Sequence, residues 1–154
     1  MKNKTMLILE CFAVPLRNMI NKTILILGDS LTLLIVTLIG FATHGESGVS
    51  FLPRMLAMYI PLLIAWFLLA PWFGLFMVEM ISTPSQPPPF PKAKWGRSQV
   101  LKAGVAMLFA GPLAVVLRGL ILNAPVIPIF AVVLSVTSAL GLIIWRGLYL
   151  LLKR

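Results

Sequence analysis

The sequence predicts an all-α integral membrane four-helix bundle with an additional N-terminal interfacial helix and both termini cytoplasmic. Three observations carry that prediction. Of 154 residues, 60% are hydrophobic and 11% charged, against roughly 25% charged in soluble domains, so the chain cannot clothe a water-facing surface. Four stretches are apolar over about 20 residues, the length a helix needs to cross a hydrocarbon core about 30 Å thick. Lysine and arginine gather at alternate ends of those stretches.

Residues 1–22 open with "MKNKTMLILECFAVPLRNMI", a basic start and an apolar middle that mimic a signal peptide. No small-residue cleavage site follows, and Pro15, Arg17 and Asn18 interrupt the run before it can span. We read this segment as a retained helix lying at the cytoplasmic interface, with a frayed tail as the alternative. The crossings follow at 23–43, 55–77, 100–122 and 126–152. Each is apolar around its whole circumference, which in a membrane requires helices that satisfy their own backbone groups. The alternating ten-residue segments of a β-barrel are missing. Length allows one domain, residues 1–154, and there is no internal repeat.

The boundaries are marked by "HGESGVSFLP", "STPSQPPPFPKAKWG" and "NAPVIP", all rich in turn-forming residues. The middle one lies in a basic, proline-rich loop, 78–99, expected on the cytoplasmic side as an extended polyproline-like surface segment. A proline-rich ligand for a partner is its less favoured reading. Pro61, Pro71 and Pro112 are expected to kink their helices. Trp66 and Trp72 add bulk to the second.

Orientation follows from the basic residues. Lys2, Lys4, Arg17, Lys22, Lys92, Lys94, Arg97, Lys102, Arg146, Lys153 and Arg154 fall on one side, and only Arg54 and Arg118 on the other. The formal charge of +9 forms no basic stripe interleaved with aromatics, so nucleic acid is not expected as a partner. Cys11, the single cysteine, can form no internal disulfide and has no neighbours at metal-ligand spacing. A buried, inert thiol is its expected state.

Ionisable groups at membrane depth are costly unless paired or wet. Asp29 lies about 9 Å inside the first crossing, and Arg146 lies at a similar depth in the fourth. Opposite charges at equal depth invite an ion pair. Asp29, Thr32, Val36, Gly40 and Thr43 fall on one side of the first helix, with His44 at its edge; Ser135, Ser138, Ala139, Leu142, Arg146 and Tyr149 do so on the fourth. Small and hydroxyl residues of this kind favour close helix contact in lipid. Three roles compete: a pair that locks the bundle, a proton, ion or ligand site, or Arg146 reaching out to lipid phosphates.

At the opposite end, His44, Glu46 and Arg118, with Arg54 at the same level, form a candidate outer polar cluster for an anion, a lipid headgroup or, through His44, a metal or pigment. A lone histidine argues weakly for ligation, since metal sites need several converging ligands. On the third helix Ala103, Ala106, Ala110 and Ala114 lead to Arg118 at spacings of three or four, with Gly111 alongside: a close-packing seam against either another helix or a second subunit.

The residues "GDSLTLLIV" and "ATHGE" of the first helix, "LRGLIL" of the third and "WRGLYLLL" of the fourth resemble the small bacterial membrane family filed as Domain of Unknown Function 3054. The resemblance covers about 23–152 and implies that Asp29, His44, Arg118 and Arg146 are recurring polar positions. It implies no activity. The leading apolar segment and the long "PSQPPPFPKAKWG" loop depart from the family's usual pattern.

An enzyme is not expected, because paired carboxylates, a nucleophile beside a histidine, a phosphate-cradling loop and metal spacing are all missing from the sequence. Minimal loops favour a structural or accessory subunit of a larger membrane assembly, in contact with lipid, quinone or pigment in its more specific version. The competing reading is an oligomeric carrier or channel in which Asp29 and Arg146 line a polar pathway. Lipid binding at the basic loop is a third. The expected partners are the lipid bilayer and other membrane subunits or further copies of the chain, and the expected location is a bacterial inner or equivalent energy-converting membrane. No cofactor is specified.

Overall fold

The computed structural model describes the backbone of residues 4–45, 49–76 and 92–152 and the side chains of 22–45, 50–76 and 98–152. The elements are α1 (Lys4–Thr43), a 3-10 turn (Val49–Phe51), α2 (Leu52–Leu69), α3 (Lys92–Leu122) and α4 (Pro128–Leu152). Each helix contains a segment long and apolar enough to span: Lys22–Thr43, Leu52–Leu69, Ser98–Leu122 and Pro128–Leu152. Consecutive helices run antiparallel, and α1 closes the ring by packing on α4. Among the described residues the diagonal pairs, α1 with α3 and α2 with α4, make no backbone approach. Side chains fill the centre.

Boundaries differ from the sequence reading in four places. The helical backbone of α1 runs unbroken through Pro15, Arg17 and Asn18, so the N-terminal segment continues the first crossing and is no separate element. A proline removes one backbone hydrogen bond, and a long helix can carry that loss. Cys11 falls within this stretch, outside the described side chains. α2 starts earlier and stops at Leu69. Pro71 ends the helix and does not kink it: it has no N–H for the carbonyl one turn back, and the chain turns away through Gly74 at φ 68°. The expected loop 78–99 is helical from Lys92, placing Lys92, Lys94 and Arg97 in the first turns of α3; Lys, Ala, Arg and Gln favour helix there, and Gly96 does not stop it. Residues 77–91, which hold the proline run, lie outside the described residues.

The α3–α4 turn is as tight as "NAPVIP" predicts. Asn123 adopts φ 48°, the Ala124 N–H donates to the Gly119 carbonyl at 3.0 Å, and Pro128 opens α4. This is a left-handed helix cap followed by proline at the first helical position. Pro61 and Pro112 lie inside α2 and α3.

The alanine seam resolves within the chain. Ala103, Ala106, Ala110 and Ala114 are fully buried, and α3 meets α4 so closely that a Cβ on Gly111 would overlap Ser135. Larger side chains complete the core: Met107 of α3 itself, with Leu33, Leu62, Trp66 and Leu142 from the other helices. The exterior is equally apolar, with Leu31, Ile35 and Leu38 on α1 and Leu140, Ile144 and Leu148 on α4 exposed. An outer surface of this kind is stable in lipid. The protein is a multi-pass membrane protein.

Candidate functional site

Three helices and one turn build a charged centre. On α4, Leu134, Ser135, Ser138, Ala139, Leu142 and Arg146 face inward, with Tyr149 half-buried, which is the predicted face. On α1 the buried line is Asp29, Leu33 and Thr37, rotated from the expected one. Thr32 and Val36 flank it, close to Gly141 of α4, whereas Gly40 stands open and Thr43 is exposed. The rotation has a simple source: α1 packs in the groove between α2 and α4, so its inward line is centred between two neighbours.

Asp29 and Arg146 meet as the equal-depth argument predicts. The guanidinium donates twice, from Nε to Oδ1 at 3.2 Å and from Nη2 to Oδ2 at 2.6 Å. Asp29 is 0% and Arg146 3% exposed. A two-point contact of this kind is among the stronger charge-assisted arrangements, and it compensates the carboxylate and guanidinium for lost water. Aromatic rings complete the enclosure, with the Arg146 guanidinium 5.8 Å from the Trp66 ring and 5.6 Å from the Phe76 ring. Both are within cation–π range. Phe76 reaches this position because the turn after α2 folds back, stacking Phe67 on Phe76 and Phe73 on Phe109.

The indole N–H groups of Trp66 and Trp145 also approach the Asp29 carboxylate, at a geometry short of a hydrogen bond. Ser138 Oγ, buried on the same face as Arg146, has no partner either. Most other hydroxyls are satisfied one turn back: Thr32 donates to the Gly28 carbonyl at 2.7 Å, Thr37 to Leu33 at 2.8 Å and Ser135 to Ala131 at 2.6 Å. Tyr59 of α2 donates to the Ser30 carbonyl of α1 at 3.0 Å.

Four members of this centre escaped the sequence reading as site residues: Gly28, Trp66, Phe76 and Trp145. A Cβ on Gly28 would overlap the Trp145 indole. The signal was adjacency, since Gly28 precedes Asp29 and Trp145 precedes Arg146, so whatever brings the charges together brings their neighbours together.

The outer residues are not gathered in the same way. His44 is exposed just beyond α1, its backbone N–H donating to the Phe41 carbonyl at 3.1 Å, and Gly45 turns the chain at φ 78°. Glu46 lies outside the described residues. Arg118 is half-buried on α3, and no described contact joins it to His44. Among the described residues no three histidine, cysteine or acidic side chains converge as a metal would need.

The family model described as "Protein of unknown function (DUF3054)" matches residues 26–149, a stretch that begins just before Asp29 and ends just after Arg146. No curated protein and no solved structure matches the chain. The matched stretch takes in the second and third crossings whole, most of the first and fourth, and both halves of the ion pair, and the chain belongs to the DUF3054 family of proteins of unknown function.

Proposed function

We propose that this protein is a non-enzymatic structural or accessory subunit of a larger membrane assembly, resident in a bacterial inner or comparable energy-converting membrane with both termini cytoplasmic. The observation that carries the reading is the Asp29–Arg146 pair. Its charges are spent on each other inside aromatic walls, which suits a lock that holds α1 to α4 better than a group that must meet substrate. Extraction in a mild detergent should recover the protein with the same membrane subunits in fixed ratio; recovery solely as a monomer overturns the proposal. Quinone or pigment contact within such an assembly would appear in the absorption spectrum of the purified complex.

A second reading, an oligomeric carrier or channel using Asp29 and Arg146, draws on buried polar atoms without hydrogen-bond partners: Trp66 Nε1 and Trp145 Nε1 near the pair, and Ser138 Oγ about two turns back along α4. Such atoms are uncommon in a settled interior. Flux through proteoliposomes that falls in Asp29→Asn would favour this reading, and the absence of flux in the wild type removes it.

A further inference from the structure

At the end of the bundle away from the ion pair, the α3–α4 turn borders a cavity of about 210 Å³ lined by Val115, Arg118, Pro125, Ile127 and Phe130. Four of these side chains are apolar and one is a cation. The one acid with a described side chain, Asp29, is held by Arg146 at the other end, so among the described residues no carboxylate neutralises Arg118. The start of α4 adds to the imbalance. Its first turn carries no acidic residue, and the Ile129 and Phe130 N–H groups have no helical carbonyl to bond, as at any helix start.

We infer that this cavity is a binding site for a phosphate-type anion, with Arg118 as its charged donor. A guanidinium matches the geometry of phosphate oxygens and can donate to two of them at once. The positive end of the α4 dipole, at the same turn, favours the same charge. Depth agrees as well: Arg118 lies four residues before the end of α3 at Leu122, about 6 Å along the axis, where an arginine side chain reaches lipid headgroups. The size of the cavity limits the occupant. Sites that engulf a drug-sized molecule run to roughly 300–1,000 Å³, so this one takes a headgroup against its apolar wall and not a whole quinone or pigment. The phosphate can come from an anionic phospholipid or from solution.

The test uses full-length protein, delipidated in a neutral detergent, with thermal unfolding followed after addition of phosphatidylglycerol or of inorganic phosphate. A ligand that binds only the folded state raises the unfolding midpoint. Phosphatidylglycerol is expected to raise that of the wild type, Arg118→Gln to lose most of the shift, Arg118→Lys to keep part of it, and Lys102→Gln, about 24 Å away along α3, to keep it all. An equal shift with inorganic phosphate assigns the site to a free oxyanion; a shift with the lipid alone assigns it to a headgroup. If Arg118→Gln fails to fold, Ile127→Asp, which sets an acid in the exposed cavity wall, must abolish the shift in its place. No shift in the wild type, or one undiminished in these variants, overturns the inference.

Discussion

The Trp145 indole occupies the space that a side chain on Gly28 would fill, and one residue further along each helix Arg146 grips Asp29. The dipeptides Gly28–Asp29 and Trp145–Arg146 therefore act as complementary halves of one contact. A bare α1 backbone at residue 28 admits the ring, and the ring's fit sets the approach of α1 to α4 that the two-point ion pair requires.

Gly28→Ala should for this reason be costly. The added methyl must displace a large ring that is itself packed, and overpacking of this type costs about 1–3 kcal/mol. Gly40→Ala, on the same helix with nothing near the new methyl, should change stability little. Unfolding of the two variants in matched bicelles checks the contrast, and equal behaviour would remove Trp145 as the cause.

Removing one charge should be worse than removing both. Asp29→Asn or Arg146→Gln leaves a buried group uncompensated, at about 3–5 kcal/mol. The double variant Asp29→Leu with Arg146→Met should recover much of that loss, because a thioether packs well against rings such as Trp66 and Phe76. A double-mutant cycle built from Asp29→Leu, Arg146→Met and that double variant measures the coupling on unfolding free energy. Additive losses would show that the pair is not the lock proposed above.

The alanine seam makes a third contrast. Ala106→Leu and Ala110→Leu insert bulk where α3 is fully buried and should cost about 1–3 kcal/mol each through overpacking. Val105→Leu, on the exposed face, should be tolerated. Monodispersity on gel filtration and the unfolding midpoint together report the difference.

Much of the architecture was legible in the residues. Four apolar runs became four helices, "NAPVIP" became the tight turn, and the inward face of α4 held nearly residue by residue because serines, alanines and an arginine at helical spacing tolerate one buried side. The face of α1 was misjudged by a fraction of a turn: Thr32, Val36 and Gly40 are as small and mild as the residues that pack, so composition could not choose between adjacent lines. Pro71 was read as a kink because the apolar run continues past it, and hydropathy is blind to a missing N–H.

By itself the sequence determined the solvent, the number of crossings and the existence of a compensated charge, because apolar length, helical rise and the cost of an unpaired carboxylate in lipid are local properties that any arrangement must respect. Which line of α1 faces inward, that Trp66 and Phe76 flank the guanidinium, and that the Trp145 ring needs a glycine opposite were decided only in the folded bundle. Those are contacts between residues far apart in the chain, and they arise from how four rods share one interior.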